Sequence, residues 1–324
     1  MSRARVVTVL LVAGLVASGT RAEVAADRVR SWAYLVDKLA DDGVPRAWAE
    51  RVFNDPRVPR FDKLEFSLTP REPRSMYRGL LSRRSVSAAH ECFARHLDAL
   101  GRAERELGVP GNVVAAILHV ESRCGRNTGN ESVLWRLARL AMSAEPSNLR
   151  RNVARHSLWQ TPSASAEILR ATQERARYLE STFYPEVRAT FEIAERLHID
   201  PLDIRGSTAG AFGMPQFLPT SYLRFGTDGN SDGRVSLYDP ADAVASCARY
   251  LQAHGWAAGI DGKERRRVIW TYNRSTPYID TVLALASQLP QGRETDNWGK
   301  SSTAASGTER TESHPDVGPV SSVE

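Results

Sequence analysis

Glu121 is a carboxylate in surroundings unsuited to negative charge. It lies near the end of Val109-Pro-Gly-Asn-Val-Val-Ala-Ala-Ile-Leu-His-Val-Glu-Ser-Arg-Cys-Gly125. There Val113, Ala116, Ile117, Val120 and Cys124 recur at helical spacing, and Val114, Ala115 and Leu118 add a second apolar side. Such a helix is buried nearly all round. In its last turn both desolvation and the negative end of the helix dipole disfavour the carboxylate, which suits a general acid at neutral pH. The plainer reading is a Glu on an exposed edge of that turn, tied to Arg123 or Arg126.

Two loops and a turn carry further chemistry. Residues 206–220, Gly-Ser-Thr-Ala-Gly-Ala-Phe-Gly-Met-Pro-Gln-Phe-Leu-Pro-Thr, are poor helix or strand material. Their apolar Phe212, Met214 and Phe217 fit a partly buried loop lining a site better than a plain connector. Residues 228–242 place Asp228, Asn230 and Asp232 at positions 1, 3 and 5, Arg234 at 7, Gly233 at 6 and Asp239 at 12. That is the oxygen pattern of an EF-hand-like calcium loop. Asp239 precedes Pro240 and also reads as a helix N-cap, in which case Asp242 would supply the last ligand. The alternative is an Asn/Asp-rich turn without metal. Finally, Tyr272-Asn-Arg-Ser-Thr-Pro-Tyr278 interrupts an otherwise helical stretch over 264–289.

The elements that must position these groups are mainly helical. Trp32, Leu35 and Leu39 mark one amphipathic helix and Trp48 with Val52 another; residues 54–75 are Pro-rich and irregular; helical spacing resumes over 85–107. Further helices are expected over 131–142, 165–198 and 240–254, with Pro146 and Pro162 breaking a mixed stretch over 144–165. Strand signals are nearly absent. Residues 1–22 read as a secretory signal, with Arg3 and Arg5, an apolar run too short to span a membrane, and Thr20-Arg21-Ala22 as a cleavage site. No Cys lies near its end to carry a lipid. Residues 23–104 form a helical N-terminal region, 105–289 a core and 290–324 a disordered tail.

The chain has 324 residues, 42% hydrophobic, with a net charge of +5. A basic surface admits an acidic polymer as partner, but no nucleic-acid motif is present and none is expected to bind. Cys92, Cys124 and Cys247 each sit in an apolar helical context, so buried thiols are the default and one bridge plus a free thiol the sharper alternative.

Taken in order, the Glu-Ser-Arg-Cys-Gly helix end, the Ala-Gly-Ala-Phe-Gly-Met-Pro-Gln-Phe loop, the acidic loop and the Tyr-Asn turn resemble the membrane-bound lytic murein transglycosylase B family. The resemblance covers about residues 105–289. It implies a lysozyme-like core, and cleavage of peptidoglycan glycan strands between N-acetylmuramic acid and N-acetylglucosamine with a 1,6-anhydro end. Glu121 falls on the family's single catalytic Glu. Ser207, Gln216, Tyr250, Tyr272, Asn273 and Tyr278 fall on its substrate-contacting residues. Arg150 and Arg151 match a family Arg pair at altered spacing. Only about a dozen residues separate Trp256 from Val268, where better-known members carry a long insert, so a trimmed cleft wall is implied.

Ordinary glycosidases use two carboxylates. Neither the Gly-rich loop nor the Tyr-Asn turn offers a second one. The expectation is therefore a lone Glu121 acting as acid and then base, with no catalytic cofactor and at most a structural Ca2+. The protein is expected to be a periplasmic or secreted monomer, peripherally associated with wall or membrane. A hydrolytic lysozyme on the same scaffold and a non-catalytic wall-binding protein are the rival readings.

Overall fold

A computed structural model describes residues 27–69, 74–158 and 162–291. The expected leader at 1–22 and the tail from 292 onward lie outside them. In chain order come α1 (Ala33–Asp41), α2 (Arg46–Asn54), a 3-10 segment (Arg74–Leu81), α3 (Arg83–Arg95), α4 (Leu97–Leu107) and α5 (Gly111–Ser122). There follow β1 (Glu131–Ser132), α6 (Val133–Ala141), α7 (Pro146–Ser157), α8 (Pro162–Leu197), β2 (Arg205–Gly206) and α9 (Pro219–Phe225). The described chain closes with α10 (Pro240–Ala253), α11 (Gly262–Tyr272) and α12 (Thr276–Ala286).

Local chemistry fixes most of these boundaries. Ser82, Ser132, Glu145, Asp239, Asp261 and Ser275 each accept a hydrogen bond from a backbone N–H in the first turn of the helix that follows. Pro146 and Pro162 stand at breaks between helices, as expected, and each opens the helix that follows, α7 and α8, where the missing N–H has no intrahelical partner to lose. The pair β1–β2 is antiparallel and two residues long, joining Glu131 to Gly206 and Ser132 to Arg205. It ties the segment after α5 to the start of the Gly-rich loop.

The apolar helix expected at the centre is there. Val113 to Leu118 of α5 are all buried, and α5 packs against α3, α4, α10 and α12. Burying each Ile or Leu of this kind contributes about 1.5–3 kcal/mol. One hydrophobic cluster runs without interruption from Trp32 on the N-terminal side to Leu289. The region before α5 therefore shares its core with the helices that follow.

Two cysteines depart from the default of buried thiols. Cys92 on α3 is bridged to Cys124, just past the end of α5, while Cys247 on α10 is free and fully buried. Helical spacing conceals this pairing, because the partners lie 32 residues apart. Closing a loop of that length restricts the unfolded chain, so Cys92→Ala/Cys124→Ala should cost about 4 kcal/mol in chemical denaturation.

Candidate active site

Glu121 is half-buried in the last turn of α5. The helix stops abruptly behind it: Arg123, Cys124 and Gly125 all take left-handed backbone, with φ of 53°, 56° and 82°. The stop therefore comes two residues before Gly125, which the sequence suggests as terminator. The neighbouring Ser122 is buried and anchors the turn. Its hydroxyl donates to the Met214 carbonyl at 2.7 Å and accepts from the Gly125 N–H at 2.9 Å. The two arginines of the plainer reading have other partners. Arg123 donates to Ser85 Oγ at 2.8 Å and Arg126 lies 3.6 Å from Glu91.

Glu121 Oε1 accepts the hydroxyl of Tyr278 at 2.6 Å. Tyr278, in the first turn of α12, is 2% exposed and stands parallel to Tyr272, the ring centroids 6.4 Å apart. Tyr77 of the 3-10 segment meets Tyr278 edge-on at 6.1 Å. Burial above all pushes the Tyr272 and Tyr278 hydroxyls well above their ordinary titration range, so both remain donors. Tyr272 donates to the Pro215 carbonyl at 2.6 Å. Tyr250 is 8% exposed; it donates to the Thr271 carbonyl at 2.6 Å and meets Tyr272 edge-on at 4.9 Å. Asn273 is the half-buried residue that ends α11 in extended backbone.

The Gly-rich loop is fixed by close backbone contact. A Cβ on Gly129 would stand 2.1 Å from the Gly206 carbonyl oxygen, and one on Gly213 (φ +73°) would stand 2.3 Å from Leu237 Cβ. Only glycine permits both approaches. Gln216 holds left-handed backbone, and its amide donates to the Gly213 and Thr128 carbonyls at 2.9 and 3.1 Å. Ser207 Oγ donates to the Ala211 carbonyl at 3.2 Å. The Gln216 and Ser207 side chains thus brace the loop itself. Through Ser122–Met214 and Tyr272–Pro215 the same loop is tied to α5 and α11. Arg150 and Arg151 are exposed on α7; Arg151 donates to the Asp62 carbonyl in the Pro-rich segment.

In the acidic loop, Asp228 accepts the N–H groups of Ser231, Asp232 and Gly233, Asn230 that of Asp232, and Asp232 that of Arg234. Asp239 caps α10 through Ala241 and Asp242. Only its Oδ1 is engaged in the cap. Asp242 is 1% exposed and accepts from the N–H groups of Gly229 and Ser236 at 2.8 and 2.7 Å. The donors are all oxygen, as a hard cation requires. Among the described residues, however, no three His, Cys, Asp or Glu side chains come together closely enough to hold a metal ion.

Sequence reasoning passed over Ser122 and His119. For Ser122 the one available signal was its place beside Glu121. His119 is 1% exposed on the apolar helix, with Nε2 2.9 Å from Ser85 Oγ and 3.4 Å from Arg123 Nη1. A guanidinium can only donate, so Nε2 is an acceptor and the ring is neutral. Burial, then the charges of Arg123 and Arg126, lower its pKa to about 4.

A buried helix ending in a carboxyl, ringed by helices and crossed by a Gly-rich strap, is the lysozyme-like arrangement of the lytic transglycosylases. Comparison with known proteins agrees. The family described as "Transglycosylase SLT domain" matches residues 28–265, and the chain belongs to that family. Membrane-bound lytic murein transglycosylase B of Escherichia coli is 35% identical over 162 residues, 50% of this chain and 36% of that protein. The match thus spans little more than a third of that relative. The E. coli lytic transglycosylase SLT35 in complex with bulgecin A superimposes with a TM-score of 0.60 at 21% identity, over 80% of this chain and 92% of that one. SLT35 in complex with calcium gives 0.59 at 22% identity, with the same coverage. Soluble lytic transglycosylase SltB1 of Pseudomonas aeruginosa gives 0.59 at 24% identity, over 79% and 97%.

The depressed His119 pKa has a consequence for stability. Between the ordinary value of 6.5 and about 4, the unfolded chain binds a proton that the folded protein does not. This contribution is complete above the ordinary value and is lost as the pH falls towards 4. The melting temperature should fall over that interval, and His119→Gln should flatten that slope in a pH series of thermal melts.

Proposed function

We propose that the protein is a peptidoglycan lytic transglycosylase in which Glu121 acts first as acid and then as base. The observation that carries this reading is the half-buried Glu121 carboxyl, held at 2.6 Å by the Tyr278 hydroxyl at the end of a buried helix. A carboxyl held in place this way is preorganised for proton transfer. In the first step the bond between C1 of N-acetylmuramic acid and the glycosidic oxygen breaks, and that oxygen takes the Glu121 proton. The sugar's own N-acetyl carbonyl stabilises the positive C1. The C6 hydroxyl then attacks C1 and returns its proton to Glu121. The product is a 1,6-anhydro end; no water is consumed and the residue is reset.

Tyr272 and Asn273 flank the reacting ring, Ser207 orients the N-acetyl group, and Gln216 shapes the cleft wall from the loop. Tyr250 supports Tyr272 from within the core. The substrate places the enzyme on the cell-wall side of the inner membrane, in the periplasm or secreted, as a monomer at the wall surface. No helix among the described residues is long and apolar enough to cross a membrane.

A structural Ca2+ is the second part of the proposal. Asp228, Asn230 and Asp232 would hold it, with the backbone carbonyl of Arg234 and with Asp239 or Asp242, in a loop drawn closer than the one described, where no three such side chains converge. Carboxylate oxygens that already accept one N–H keep a second lone pair for a cation. Bound there, the ion would link the loop to α10 and take no part in the reaction.

Digestion of purified cell wall followed by mass spectrometry should release anhydro-muropeptides. Glu121→Gln should lower the rate by about 10³-fold or more while leaving the melting temperature unchanged. Reducing muramic ends would defeat the transglycosylase reading, and full activity in the Gln variant would defeat the role of Glu121. Calcium in excess should raise the melting temperature over that in chelator, with Asp228→Asn/Asp232→Asn removing the difference. Identical melts of the native protein in both conditions would dispose of the ion.

A further inference from the structure

Behind the catalytic helix end lies a cavity of about 310 Å³ that the proposed reaction does not use. Most of its lining comes from two places. Arg84, Ala88, Cys92 and Arg95 share one face of α3, and Arg123, Cys124 and Arg126 face it from the left-handed turn after Glu121. The Cys92–Cys124 bridge joins the two.

Four arginines are among the residues that line this small space, with little to offset their charge. Arg126 has Glu91 at 3.6 Å, both exposed. Among the described residues no carboxylate comes within ion-pair distance of Arg84, Arg95 or Arg123; Arg123 bonds only to the neutral Ser85 and His119. Arg84 and Arg95 are exposed at the rim. Like charges so gathered repel one another, and Arg123 is held in backbone that L-residues adopt at a cost. The forked donors of arginine match the oxygens of carboxylates and phosphates. A space of this size admits a chain end or a small ion, not a polymer.

We propose that this cavity is an oxyanion-binding site, distinct from the cleft, for a small ligand bearing carboxylate or phosphate groups. Two sources share that chemistry: the carboxylate-rich peptide stems carried by wall glycan, and free phosphate. The 3-10 segment connects site and cleft, because Tyr77 touches Tyr278 while Gly79, further along the same segment, lines the cavity. Only the choice of the peptide as a probe rests on the function proposed above.

The test is calorimetric titration of the full chain with an acidic wall tetrapeptide and, separately, with inorganic phosphate. Binding is read without turnover, so it stands or falls apart from the cutting assay. At least one probe should bind saturably, and Arg84→Ala/Arg95→Ala should weaken it at least about tenfold, as loss of charge-assisted bonds requires. Those arginines make no bond that the fold needs, so the variant should keep its melting temperature and its cutting rate on peptide-free glycan. Arg84→Lys/Arg95→Lys should recover part of the affinity. The probe that binds identifies the source. Absence of saturable binding by either probe, or equal affinity in the Ala variant, would overturn the proposal.

Discussion

Three successive residues in left-handed backbone, Arg123, Cys124 and Gly125, decide where Glu121 can point. For two of them this conformation costs about 1–2 kcal/mol each, and it persists because the surroundings over-determine it. Arg123 N–H reaches back to the His119 carbonyl, Cys124 N–H to the Leu118 carbonyl and Asn127 N–H to that of Ser122. Ser122 adds its side-chain bonds to Met214 and Gly125, and the Cys92 bridge a covalent one. Polypeptide that ended α5 with a frayed turn would leave the carboxyl on a moving support. Here it is carried on a helix buried on nearly every side and closed within one residue of it.

Tyrosine hydroxyls distribute that rigidity. Tyr250, Tyr272 and Tyr278 each donate one short bond, to Thr271, Pro215 and Glu121. Their rings meet one another, so the α10, α11 and α12 helices, the Gly-rich loop and the carboxyl form one contiguous group. The loop contributes backbone more than side chains: the carbonyls of Gly213, Met214 and Pro215 receive Gln216, Ser122 and Tyr272 in turn. A segment without regular structure thus has its polar groups satisfied, as burial demands.

The sequence carried the helical architecture well, because apolar periodicity and N-capping side chains are local signals. α5, α10 and the break between α11 and α12 could be read directly, as could the Glu121 helix and the Gly-rich loop. What it concealed was pairing at a distance. Cys92 and Cys124 each look like a core thiol when seen alone, and Ser122 looks like a neighbour of the interesting residue instead of its anchor. Tyr250 reads equally as core or as sugar platform until its hydroxyl is seen on the Thr271 carbonyl. Pro146 and Pro162 were legible as marking breaks, and each opens the helix after its break. Nothing local in Arg84, Arg95, Arg123 and Arg126 marks them as a group; the fold brings them together from two elements.

The third cysteine sets a condition on how the chain reaches this state. Three thiols allow three bridges, and only one joins α3 to the end of α5. Cys247 is sealed inside α10 with no exposed surface, and burial pushes its thiol far from ionisation. Since thiolate is the form that exchanges, the wrong pairings are shut off as soon as α10 docks. An oxidising compartment is therefore safe for this chain once its core has formed, and hazardous before. Selection of the correct isomer falls to the order of assembly, not to the chemistry of sulfur.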